Sequence, residues 1–278
     1  MTNPDRVEPT LNGPVLIVGV GLIGASIGKA LVRAGIDVHL WDIDRSNALV
    51  AAGRGAGSLD DLADDAYHMI VIATPPAVVA QTIVDRLTRH PQAVVTDTAS
   101  VKGAVLAELT TLAAGHGVDM SRYVGSHPMA GTQYTGPLTA SSELFINRTW
   151  VVAPRPDYRQ YDVEHDVAVA HSSGGRVVLM DAHEHDRAVA EVSHLPHLMS
   201  ILTAANLRHA RPEHLSLAGS GIRDVTRIAR SQTAMWRQIL SSNRVEVRSQ
   251  LEAIRDDLDD LLSRLNDSQR LEEFLSVG

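Results

Sequence analysis

The apolar positions of this chain fall into two rhythms, and the change between them divides it. Pro14-Val15-Leu16-Ile17-Val18 is a short unbroken apolar run that ends in glycines. After it, Ile23, Ile27, Ala30 and Leu31 recur at helical spacing, so the segment reads as strand, tight turn, helix. Further runs occupy Val38–Trp41, Met69–Ala73 and Ala93–Thr96, with helical stretches over 77–87 and 101–114. Unalternating strands separated by helices predict a parallel sheet covered on both faces. Trp150-Val151-Val152 and Arg176–Met180 are expected to extend it. From Asp181 onward no strand signal survives. Residues 183–210 read as one long helix with a kink at Pro196. Near the end, Val247, Leu251, Ile254, Leu258, Leu261 and Leu265 form an apolar stripe with charges between them. That stripe predicts an amphipathic helix of many turns, expected to serve as a dimer interface. The expected layout is a disordered leader over 1–12, an α/β domain over 13–181 and an all-helical domain over 182–278.

Charge and composition narrow the function. A net charge of -8 disfavours nucleic acid and anionic membrane, which need clustered Lys and Arg. The absence of cysteine excludes disulfides, thiol nucleophiles and Cys-bound zinc. The opening residues are polar, without the apolar core of a signal peptide, and no apolar run approaches the roughly 20 residues that span a bilayer. The expectation is a cytoplasmic enzyme acting on a small molecule. With the last residue at Gly278, no added regulatory domain is expected.

Val18-Gly19-Val20-Gly21-Leu22-Ile23-Gly24 contains G-x-G-x-x-G after a strand and before a helix. Gly19 allows the turn, Gly21 the approach of a pyrophosphate, and Gly24 close packing of helix on strand. The N–H groups of Leu22 and Ile23 belong to the helix end that would meet the phosphates. Asp42 ends the next strand, 18 residues after Gly24, where a ribose-binding acid belongs. A carboxylate there favours NAD, while Arg45 nearby leaves NADP open. Thr74 and Pro75 follow a later strand, either as a wall of the cofactor cleft or as a helix-starting turn. Together these features predict a Rossmann-type doubly wound parallel sheet followed by the helical domain.

A nicotinamide enzyme oxidising an alcohol needs a base, and histidine suits that task near neutral pH. Of thirteen histidines, His127 stands out, bracketed by glycines in Gly125-Ser126-His127-Pro128-Met129-Ala130-Gly131 behind the strand-like Tyr123-Val124. This string, followed by Leu144-Phe145 and Trp150, resembles the signature of the prephenate and arogenate dehydrogenases. Thr96-Asp97-Thr98-Ala99-Ser100-Val101-Lys102, Val192-Ser193-His194-Leu195-Pro196-His197, Gly221–Ala229 and Met235-Trp236 with Asn243 are similar to further motifs of that family, in order and spacing. The resemblance covers nearly the whole chain.

The resemblance implies a role for each matching residue. His127 would deprotonate the substrate's ring hydroxyl, and Ser100 would orient that hydroxyl, the histidine and the nicotinamide. Arg227 would bind a substrate carboxylate, with Arg223 competing for that role. His197 would line the pocket, with His194 behind it one turn away. The expected reaction is oxidative decarboxylation of prephenate, or of arogenate, in a cleft between the two domains of a homodimer, without a metal. Simpler readings stand beside these. Ser100 could cap the helix from Val101, Arg227 could pair with Asp224, and His183, His185, His194 and His197 could bind zinc. Rival functions are a β-hydroxyacid dehydrogenase and a nicotinamide sensor without turnover. The first would use a catalytic lysine on a helix, yet the only lysines are Lys29 and Lys102, and neither lies in the helical domain.

Overall fold

The computed structural model describes residues 10–11, 13–60, 62–63, 66–132, 134–230 and 233–276. The leader expected over 1–12 thus lies outside the described residues except for Thr10 and Leu11, and Leu11 packs against the first core rather than hanging loose. By its contacts the chain forms two compact units, Met1–His185 and Asp186–Gly278.

In the first unit, strands and helices alternate as β1 (Val15–Val18), α1 (Leu22–Arg33), β2 (Val38–Trp41), α2 (Arg45–Gly53), β3 (Met69–Ile72), α3 (Val79–Arg89), β4 (Val94–Asp97), α4 (Lys102–His116), β5 (Tyr123–Pro128), β6 (Thr149–Ala153), α5 (Gln160–Ser172) and β7 (Arg176–Leu179). They build one seven-stranded sheet in the order β2-β1-β3-β4-β5-β6-β7. β1 and β3 are buried at all four positions, as their unalternating apolar sequences require. Two apolar cores cover the sheet, one including Ile17, Ile27 and Val71, the other Ile70, Ile83 and Leu109.

Two departures from the expected sheet have local causes. β6 runs antiparallel to β5, pairing Pro128 with Trp150 and Gly125 with Ala153. The segment between them holds only a short 3-10 turn over Pro137–Thr139, and a parallel return would need a helical crossover. β7, parallel to β6, is an edge strand and is not covered as the inner strands are, with Leu179 58% exposed.

The second rhythm is helical throughout: α6 (Ala182–Val189), α7 (Leu195–Asn206), α8 (Pro212–Leu215), α9 (Ser220–Thr226), α10 (Thr233–Ser242), α11 (Arg244–Arg264) and α12 (Ser268–Leu275). α6 and α7 are the long helix expected over 183–210, joined by a π turn over Ala190–His194. Pro196 has no N–H to give to the carbonyl four residues back, and the ladder shifts there, with Leu195 N–H reaching Ala190 O. Few apolar side chains of this unit are buried. Val189, Ala190, Ile239 and Val247 are, while Leu202, Leu217, Val245, Leu258, Leu262 and Leu265 are exposed. No helix among the described residues is long and apolar enough to cross a membrane.

Candidate active site

Because β1, β3, β4 and β5 run parallel, their carboxyl ends share one edge of the first unit's sheet. The order reverses beside β1, and a ligand crevice belongs at such a switch point. The glycine turn lies there. Gly19 has φ +91, and a Cβ on it would come within 2.7 Å of Ala73 O. A Cβ on Gly24 would stand 1.9 Å from Gly19 O, so α1 packs on the turn only with hydrogen at that position. Gly21 differs. Its φ of -67 suits any residue, and a Cβ there would meet nothing within 4 Å. Nothing in the protein requires glycine at this point, whereas a closely approaching diphosphate would. Leu22 and Ile23 open α1, whose start has neither a side-chain cap nor an acid in its first turn.

Asp42 closes the mouth of the turn. Its Oδ2 accepts from Val20 N–H at 2.8 Å and its Oδ1 from Asp44 N–H at 2.8 Å. The carboxylate is thereby fixed beside the glycines, each oxygen keeping a lone pair for a ribose hydroxyl. Thr74 Oγ1 is shielded from solvent and has no partner among the described residues. Pro75 precedes a 3-10 turn over Pro76–Val78, so the helix-starting role is also present. An adenine dinucleotide fits this set: an open position over Gly21, an uncapped helix end, a fixed acid and an orphan hydroxyl.

His127 is half-buried at the carboxyl end of β5, between the buried Ser126 and Pro128. Its Nδ1 lies 2.9 Å from Nε2 of the fully buried His185, with the two rings edge to face. Asp181 starts α6 by accepting from the N–H groups of His183 and Glu184, and this presents His185 in the first turn. Ser100 stands three residues beyond β4 and makes no hydrogen bond among the described residues. It does not cap α4, which begins at Lys102 with Val101 in the cap position and no side-chain cap.

Beneath β5 lies a buried polar network that sequence reasoning missed. Lys102 Nζ donates to Asp97 Oδ1 at 2.5 Å and to Ser126 O at 2.6 Å, and Tyr123 Oη donates to Asp97 Oδ2. Trp150 Nε1 donates to Ser126 Oγ. Burial and the Asp97 carboxylate hold the Tyr123 phenol well above its ordinary range. Burial also pushes the Asp166 carboxyl well up, helped by the charge of Asp97 and opposed too weakly by the Thr96 and Ser126 hydroxyls and by Lys102. Neither Asp166 oxygen has a partner in hydrogen-bonding geometry among the described residues. The signal available in the sequence was Lys102 itself, one of two lysines and set at the start of an apolar helix.

In the second unit, His197 stacks flat on Trp236 with ring centroids 3.5 Å apart, and His194 meets the same indole edge-on. Asn243 Nδ2 donates to Asp186 O at 2.7 Å and lies 3.3 Å from His194 Nδ1. Both histidines are buried, and burial lowers the pKa of His197. Arg223 and Arg227 are exposed near the α9 end. Arg223 Nε donates weakly to Gly219 O, and no ion pair joins Arg227 to Asp224. No group of three or more His, Asp or Glu side chains placed to hold a metal occurs among the described residues.

The comparisons with known proteins agree across both units. Residues 27–179 match the model of the prephenate dehydrogenase nucleotide-binding domain, and residues 181–277 that of the prephenate dehydrogenase dimerization domain. The chain is 32% identical over 251 residues to the probable prephenate dehydrogenase NovF of Streptomyces niveus, covering 90% of this chain and 68% of that one. It is similar in structure to the Aquifex aeolicus prephenate dehydrogenase solved with hydroxyphenyl propionate and NAD+. There the TM-score is 0.82 at 28% identity, over 96% of each chain. It is also similar to Synechocystis arogenate dehydrogenase, with TM-score 0.80 at 28% identity, over 95% of this chain and 96% of that one. With both domain models matched in order along nearly its whole length, the chain belongs to the prephenate dehydrogenase family.

Proposed function

We propose that this chain is an NAD-dependent prephenate dehydrogenase, converting prephenate to 4-hydroxyphenylpyruvate and carbon dioxide on the route to tyrosine. The observation that carries the reading is His127, held by a buried partner at the strand edge that also bears the glycine turn. Gly19, Gly21 and Gly24, with Leu22, Ile23, Asp42, Thr74 and Pro75, would hold the dinucleotide. Bound NAD supplies an acceptor for the hydride lost by the hydroxyl-bearing carbon. His127 takes the hydroxyl proton as the carbonyl forms. The ring carboxylate then departs as carbon dioxide, leaving its electron pair to complete the aromatic ring. Ser100 orients the hydroxyl. Arg227, with Arg223 as the competing cation, binds a substrate carboxylate, and His197 on its Trp236 platform lines the pocket. Asp42 supports NAD over NADP, because a fixed carboxylate accepts ribose hydroxyls and repels a 2′-phosphate.

A homodimer is part of the same reading. The exposed leucines of α11 and its flank, and the few buried apolar side chains of the second unit, support a partner surface there. Similarity to an arogenate dehydrogenase supports a second substrate reading, arogenate, which carries an ammonium where prephenate carries a keto group. The cations Arg223 and Arg227, with no acid assigned to an ammonium, favour the keto acid. The test is the appearance of reduced nicotinamide absorbance with NAD or NADP and, separately, prephenate or arogenate. Turnover with NAD and prephenate is expected, and His127→Asn should lower it by on the order of 10²–10⁴. No reduction in any mixture, by folded protein that still binds NAD, would overturn the reading in favour of a sensor.

A further inference from the structure

A histidine that acts as a base through one ring nitrogen must carry its proton on the other. His127 Nδ1 faces His185 Nε2 at 2.9 Å, so Nε2 is the nitrogen with which His127 can meet a substrate hydroxyl. For Nε2 to hold a lone pair, the neutral His127 ring must be the Nδ1–H form. Its N–H then points at His185 Nε2, which must accept, and this requires His185 to be neutral and protonated on Nδ1. With His127 as the base, this one contact sets the tautomer of both rings.

We propose that His185 is a positioning residue that holds His127 as the Nδ1–H tautomer and strengthens its grip as the proton is taken. The inference rests on the reading of His127 as the base. Once His127 has gained the substrate proton, its Nδ1–H becomes a cationic donor, and the bond to His185 becomes charge-assisted. The contact is thus stronger after proton transfer than before it, which is the condition for lowering a barrier rather than merely binding. A carboxylate often fills the place behind a catalytic histidine. Here a neutral imidazole does so, adding no charge beside the base before reaction. The hold is rigid: His185 is fully buried, and the turn of α6 that carries it is capped by Asp181. The α6 start and the β5 end, 58 residues apart in sequence, meet at this pair.

The test combines ring-nitrogen NMR of the full-length protein, labelled with 15N-histidine, with steady-state kinetics. Wild-type His127 should be protonated on Nδ1. In His185→Phe it should relax toward the Nε2–H form that free imidazoles prefer, with kcat lowered on the order of 10²-fold and both KM values little changed. His185→Gln, whose side-chain oxygen can accept from Nδ1–H, should restore most of kcat. Wild-type His127 protonated on Nε2 would overturn the proposal without recourse to any variant. So would a His185→Phe enzyme with unaltered kcat. If wild type turns over none of the substrates, the function reading fails while the NMR measurement still decides the tautomer. If His127→Asn is inactive and His185→Phe is not, the function reading stands and the dyad falls.

Discussion

At the scale of single residues, three glycines in one turn divide into two kinds. Gly24 is needed by the protein itself, since Gly24→Ala drives a methyl into Gly19 O and should cost about 1–3 kcal/mol or more of stability. Gly21 meets no such demand from the protein, and its proposed role is to let a diphosphate approach. Gly21→Ala should leave the unfolding free energy, read from urea denaturation, within about 0.5 kcal/mol of wild type while weakening NAD binding at least about tenfold. Calorimetric titration beside the denaturation curve separates the two, and a Gly21→Ala protein with unchanged NAD affinity would sink the assignment. Asp166 is a second residue with a measurable signature. Its pKa is raised on folding, so the folded state binds more protons than the unfolded one. Its neutral form fully supports stability below its unfolded value of about 3.9, and that support is lost as pH rises toward the folded value. Asp166→Asn should therefore gain stability relative to wild type as pH rises from about 3.9 toward the raised folded value. A pH-independent difference in urea midpoints would contradict this. The placement of the glycines at the first turn, of Asp42 after β2 and of His127 on β5 was legible in the sequence because each sits in a short local string. His185 and Asp166 were not, because their neighbours in space come from distant strands and helices.

Elements were legible wherever one apolar rhythm held. β1 to β4, α1, α3 and α4 lie within a few residues of their expected positions, since unbroken runs and helical spacing are local properties, whereas the short α2 was not anticipated. The direction of β6 was hidden, because an apolar strand reads alike in either direction and only its connection decides. The π turn was hidden as well. Pro196 announced a kink, but a proline does not specify how the ladder is repaired. On α11 the stripe was plain, whereas its exposure is visible only in three dimensions: Val247 is buried, Leu258 and Leu265 are each 54% exposed, and Leu262 beside the stripe is 63% exposed. If that face is covered by a second copy, Leu258→Lys with Leu262→Lys should convert a particle of twice 30.0 kDa into one of 30.0 kDa by light scattering. A double variant that stays dimeric would move the interface elsewhere.

For the whole molecule, the contrast between the two units matters more than either alone. The first carries two apolar cores and most of the fully buried side chains. The second has few apolar residues out of water. Unfolding should accordingly be concentration-dependent, with the helical unit melting at higher temperature as protein is added and the sheet unit shifting less. Saturating NAD, at about 100 times its dissociation constant, should add about 2.7 kcal/mol to the sheet unit. Scanning calorimetry at several concentrations, with and without NAD, would measure both effects, and a single transition indifferent to concentration would count against a shared interface. The scarcity of buried apolar residues in the second unit also sets a kinetic order. If a second copy covers those helices, a chain diluted from denaturant can close its sheet alone, but the helices after Asp186 must wait for a collision. Their ellipticity should return as a second-order phase that slows in proportion to dilution.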